Sequence, residues 1–284
     1  MDELAIGTPL WVLAPLLLVA LLAAREIGVW THRRLAHSRD GEDTEHDYIL
    51  NGILGLLALL VAFTFGLALD RYDARRELVV DEAAAIGTAE MRVRLLEGPD
   101  GPRLAAMLRE YGANRLAYGE AVAAKKPPLR AVSLQLRARI ETETLAALQP
   151  VRTTPLASLI TQAINDAIDI GVEREATHAS RIPTAALAVL VIYALVSAGV
   201  LGSALDAAGR RSRGMSAVLF ALLTMAIIVI LDLDRPQEGF IRISQEPLAL
   251  LVESFEATPL PAAANAPPSP ATPASPAAGG SSGP

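Results

Sequence analysis

Residues 47–82 read DYILNGILGLLALLVAFTFGLALDRYDARRELVVDE. From Tyr48 to the leucine at 69 the stretch carries no charge, and then Asp70, Arg71, Asp73, Arg75, Arg76 and Glu77 follow without a proline or turn signal. About 20 apolar residues at about 1.5 Å rise cross a bilayer. The uncharged part is therefore a membrane-spanning helix, and the charged part is its continuation into water. Two adjacent faces stand out on the spanning part. Ala58, Ala62 and Gly66 form a small-residue strip of the kind that lets helix backbones approach in lipid. Gly55, Leu59 and Phe63 form a stripe at helical spacing.

Working outward, three further uncharged runs have spanning length: 4–24, 182–205 and 214–231. The chain is 52% hydrophobic with a mean hydropathy of +0.36, and the clustering of its apolar residues, more than the mean, predicts four spans. The acidic start, with Asp2 and Glu3, lacks the positive segment of a cleavable leader, so 4–24 is expected to be retained as the first helix. Residues 25–47 form a polar connection containing His32, His37 and His46. Their spacing matches no zinc pattern, and a solvated loop is expected.

Between the second and third spans, 70–181 reads as a water-exposed helical bundle. The GPDG at 98–101 is a turn. A helix over 103–124 carries Leu104, Leu108, Tyr111 and Tyr118 on one stripe, and Arg115 within that stripe is either snorkelling or paired. KKPP at 125–128 breaks the chain before a helix over 129–148 with Leu129, Val132, Leu136 and Ile140. A last helix over 155–180 carries Ile160, Ile164 and Ile168. The third span holds a small face of Ala198, Gly199, Gly202 and Ser203, and its short connection to the fourth is rich in arginine. The expected division is a first transmembrane pair (1–69), the bundle (70–181), a second pair (182–234), a post-membrane segment (235–256) and a disordered Ala/Pro/Ser/Gly tail (257–284). The fold class is all-α.

Composition excludes several classes. Cysteine is absent and the net charge is −6, with no basic block of the kind that binds nucleic acid. No phosphate-binding glycine loop, nucleophile elbow or paired-histidine zinc helix is present, so no enzyme and no cofactor is expected. The spans lack mid-membrane ionisable residues, which argues against coupled transport. Passive conduction remains, through a hydrophobic constriction of several copies of the second helix with Leu59, Phe63 and Gly55 at the neck. The alternative is a non-conducting, membrane-anchored interaction or sensing module, in which Leu59 and Phe63 pack inside their own subunit. At the membrane edge, Asp70–Arg71 and Asp232–Asp234 end at the same interface, and Arg71 is expected to pair with Asp232 or Asp234.

Two blocks, AFTFGLALDRYDARRELVVDEAAAIGTA (62–89) and LDLDRPQEGFIRISQEPL (231–248), resemble the bestrophin-like bacterial membrane family, with the likeness running over 47–255. True bestrophins are pentameric anion channels with an apolar neck on the second helix before an Asp-Arg-aromatic block. The resemblance sets that block on Asp70, Arg71 and Tyr72 and the neck on Phe63 and Leu59. It implies a homo-oligomer in the lipid bilayer of a bacterial inner membrane, a pentamer passing small anions. The third neck position falls on Gly55, where bestrophins carry an aliphatic residue, and Asp73 stands where a second aromatic is usual. The side of the bundle is open: the arginines in the short loops place it outside the cell, whereas the resemblance implies the cytoplasm.

Overall fold

The structure is a computed structural model that describes residues 9–35, 43–207, 213–235 and 239–260. Among these, every regular element is helical: α1 (Leu10–Leu35), α2 (Asp43–Val93), α3 (Asp100–Glu120), α4 (Lys126–Ala147), α5 (Pro155–Ala179), α6 (Thr184–Ala207), α7 (Arg213–Asp234) and α8 (Glu246–Ala257). Short 3₁₀ turns at Ala123–Lys125 and Gln149–Val151 precede α4 and α5.

Among the described residues, four helices have the length and apolar character to cross a membrane: Leu10–Arg34, Tyr48–Val93, Thr184–Ala207 and Arg213–Asp234. The first begins later than the uncharged run 4–24 and continues to Leu35, through what reads as a polar loop. The extension includes Gly28, Val29 and Thr31, which are poor helix formers, and tertiary contacts hold it: Gly28 lies against the Gly199 backbone of α6, and Arg33 pairs with Asp206 at 2.7 Å. Of the three histidines in that connection, His37 and the side chain of His46 lie outside the described residues.

The 51 residues of α2 make one continuous rod of about 76 Å. Its first half packs on α6 and α7, and its second half on α5, α3 and α8. Two apolar cores result. Leu21, Leu57, Ala68, Leu190, Phe220 and Ile227 belong to the membrane core. Val79, Ile86, Leu104, Leu108, Ile140 and Ile164 belong to the bundle core. Tyr72 packs against both, so the Asp-Arg-Tyr block is the joint between the layers.

Within the bundle, Gly98 takes φ 80 at the expected turn. The α3 stripe is buried as expected, Arg115 included at 0% exposure. In α4 the expected stripe is misplaced at its start. Val132 is exposed, and Ser133, Leu136, Arg137 and Ile140 form the buried face instead. The prolines after Lys126 do not end the chain's helical course but open α4, where their missing N–H groups cost nothing. In the membrane layer α1 packs most extensively on α6, and the small face of α6 is what it meets. The other small strip, Ala58, Ala62 and Gly66, is not used inside the chain: Ala58 and Ala62 are exposed, and a Cβ at Gly66 would meet nothing within 4 Å. Ala257 closes α8; the expected tail from 261 onward lies outside the described residues.

Candidate functional site

A helix advances about 100° per residue, so Leu57, Thr64 and Ala68 point away from Gly55, Leu59 and Phe63. The former three are buried against the membrane core. Leu59 is 51% exposed and Phe63 66% exposed, and nothing lies within 4 Å of a Cβ built on Gly55. The subunit thus packs one side of α2 and leaves the whole Gly55–Leu59–Phe63 face uncovered. Beside it, Leu57, Ala58, Val61, Ala62 and Phe65 form one wall of an apolar groove of about 710 Å³ whose far walls come from α6 and α7.

At the membrane edge the expected ion pair is not formed. Arg71 donates to Ser180 Oγ at 2.9 Å, and no ion pair joins it to Asp232 or Asp234 among the described residues. Asp232, 4% exposed, accepts the backbone N–H groups of Phe240 and Ile241 at 2.8 and 2.9 Å. Asp234 accepts the N–H of Ile182 at 2.9 Å. Backbone N–H groups thus satisfy part of the acceptor capacity of both carboxylates. The tie between α2 and the end of α7 comes from Arg75, one turn farther on. It is 1% exposed and donates to the carbonyls of Ser180 at 2.6 Å, Leu233 at 3.2 Å and Thr177 at 3.5 Å. Asp70 stays on the exposed face.

A charged cluster that periodicity alone does not assemble lies inside the bundle. Glu82, 0% exposed, accepts from Arg115 Nε at 2.5 Å and from Arg174 Nη1. Glu175 accepts from Arg115 at 2.6 Å, Arg137 at 3.1 Å and Arg130 at 3.2 Å. Arg137 also donates to the Tyr111 hydroxyl at 3.3 Å. Buried charge of this kind persists only when paired and hydrogen-bonded. The periodicity that flagged Arg115 also holds the signal for Glu82, three after Val79 and four before Ile86, and for Arg174, three after Gly171.

Four guanidiniums (Arg115, Arg130, Arg137 and Arg174) surround two carboxylates (Glu82 and Glu175), so the cluster carries excess positive charge. Burial, reinforced by Arg174, Lys126, Arg75 and Arg115, pushes His178 down to about 3. Burial beside Arg174 and Arg115 pushes Lys126 down to about 8. His178 therefore binds its proton in the unfolded chain before it does so in the folded one. Stability from this residue is complete above pH 6.5 and is lost as pH falls from there toward 3. The expected slope approaches about 1.4 kcal/mol per pH unit for one proton. Unfolding midpoints measured at pH 7, 5.5 and 4.5 check this; His178→Gln flattens the dependence, and an equally steep curve in the variant refutes the assignment.

Compared with known proteins, residues 18–248 match a family model described as a Bestrophin-like domain. Among solved structures, a bacterial bestrophin homologue from Klebsiella pneumoniae carrying one substitution superposes with a TM-score of 0.63 at 12% identity, over 88% of this chain and 97% of that one. A second substituted form of that homologue gives 0.62 at 13% identity, over 85% and 96%. A crystal structure described only as a membrane protein gives 0.62 at 12% identity, over 87% and 98%. At such identities the likeness is one of fold. No curated protein matches the chain.

Proposed function

The chain belongs to the Bestrophin-like family, and from that premise we propose that it is a passive channel for small anions, built from several copies around a shared axis in a bacterial inner membrane. In this reading Phe63 and Leu59 form apolar rings at the neck, and Gly55 lets the helices converge or bend above them. Five copies is the number in true bestrophins. The observation that carries the proposal is the uncovered face of α2. A face meant only for lipid has no need of Gly52, Gly55, Ala62 and Gly66, and it is small residues that mark helix contacts in membranes. The same face is uncharged from Tyr48 to Leu69, as a dewetting gate requires.

Halide flux into proteoliposomes tests it. Wild type is expected to leak slowly, and Phe63→Ala and Leu59→Ala to raise the flux severalfold by widening and wetting the constriction. A flat response in all three proteins, or a monomeric mass in mild detergent, sinks the channel. It would leave the alternative, a non-conducting anchored helical module, whose large polar bundle is the interacting part.

A further inference from the structure

The turn beyond α7 is folded onto a carboxylate. Asp232, 4% exposed in the last turn of α7, accepts the N–H of Phe240 on Oδ1 at 2.8 Å and the N–H of Ile241 on Oδ2 at 2.9 Å. Gly239 belongs to the same arrangement, since a Cβ there would run into Asp232 Oδ1. Farther along, Ile241 packs against the membrane core and Ile243 lies in the bundle core, so the segment is pinned at the joint between the layers. Phe240, between Gly239 and Ile241, is nevertheless 85% exposed, and no large apolar side chain among the described residues is more so. A buried carboxylate thus uses both oxygens to hold an aromatic ring in the open.

The helices place that ring at the edge of the bilayer. Asp234, in the same last turn of α7, binds the N–H of Ile182 just before α6. Helix α1 runs beside α6 in the same direction, with Gly28 against Gly199 and Arg33 paired to Asp206. That offset sets Trp11, 73% exposed, level with the start of α6 and hence at the same edge as Phe240. Trp30, 53% exposed with the Arg34 guanidinium 4.1 Å over its ring, marks the opposite edge. The 19 steps from Trp11 to Trp30 span about 28 Å, which matches the thickness of a hydrocarbon core.

We propose that Phe240 is a membrane anchor, its ring set by the Asp232-held turn into the headgroup–acyl boundary of the leaflet facing the bundle. Aromatic rings favour that depth. A second copy of the chain is the poorer occupant. The centre of a protein interface is apolar and depleted in charge, and each partner contributes about 800 Å². Here the exposed neighbours along the segment are Arg242 and Ser244. A lone ring followed by a cation suits phospholipid, where the ring meets acyl chains and Arg242 meets phosphate oxygens. The anchor rests on the four spans and not on conduction.

The chain has no cysteine, so a spin label on Phe240→Cys reads this site with no other residue changed. The full chain is placed in phosphatidylcholine vesicles, and collisions of the label with oxygen, which concentrates in lipid, are compared with those of a water-soluble nickel chelate. Oxygen is expected to exceed nickel severalfold at Phe240→Cys, and nickel to exceed oxygen at Asp169→Cys, an exposed position on α5. Adding Asp232→Asn puts an amide donor opposite one of the two N–H groups, and nickel collisions at the label are expected to rise severalfold. Phe240→Trp in a Trp11→Phe, Trp30→Phe background gives a label-free reading, with stronger quenching expected from lipids brominated near the headgroup than from lipids brominated deep in the chain. The anchor is overturned by a label that meets nickel as freely as the one at 169, by a label that neither reagent reaches because another copy covers it, or by accessibility that Asp232→Asn leaves unchanged.

Discussion

Glu82→Ala is expected to destabilise the bundle by about 3–5 kcal/mol, the usual cost of stranding buried charge. Glu82 sits at 0% exposure on α2, and the two guanidiniums it neutralises, also at 0%, come from α3 and α5. Removing the carboxylate does not remove the arginines. Arg115 keeps Glu175 and the Gly171 carbonyl, but Arg174 is left with the neutral Gln245 amide and a positive neighbourhood around it. A single domain is stable by roughly 5–15 kcal/mol in total, so the loss approaches the whole. Glu82→Gln keeps the volume and one acceptor and is expected to fall between wild type and alanine. Denaturant unfolding of the detergent-solubilised protein, followed by helical circular dichroism, measures both. A Glu82→Ala midpoint within about 0.5 kcal/mol of wild type would show that the arginines have found water, and the pairing would then carry no weight.

That cluster also marks the boundary of what could be read before the structure. Periodicity locates the spans, the bundle and the α3 stripe, because these are local properties of one helix. It even places Arg115 on the buried side. What it cannot supply is the partner: Glu82 and Arg174 are separated by 92 positions, and only the packing of α2 on α5 brings them together. The membrane edge fails for a related reason. Arg71 and Arg75 lie one turn apart on the same side of α2, and the sequence fixes neither how deep α7 ends nor that backbone N–H groups occupy its carboxylates. In α4, Val132 looked like core by residue type, yet Ser133 and Arg137 are buried because they face Asn114 and Glu175 across the bundle. Gly55, Leu59 and Phe63 are legible as a stripe, and the structure adds that their own subunit does not cover them.

The membrane layer has its own stringent point, and it lies away from the Gly55–Leu59–Phe63 face. Gly28→Val is expected to disrupt the α1–α6 contact at a cost of about 3 kcal/mol or more. A Cβ at Gly28 would overlap the Gly199 carbonyl oxygen, and one at Gly202 would overlap the Arg25 carbonyl oxygen, so the two backbones touch at both places. Backbone cannot rotate away as a side chain can, and the helices must separate along their length. That separation forfeits the close dispersion contacts that hold helices together in lipid. Gly66→Ala and Gly52→Ala serve as controls, because a Cβ there meets nothing within 4 Å of its own chain. In an isolated subunit alanine at those sites is expected to be neutral or to add up to about 1 kcal/mol from helix propensity. Thermal stability in mild detergent ranks the four proteins, and sizing the assembly separates two causes. Gly28→Val should lose stability whatever the copy number, whereas a Gly66→Ala protein that is stable but no longer assembles has met a neighbouring copy. If Gly28→Val is as stable as wild type, the close α1–α6 approach is not what holds the membrane helices together.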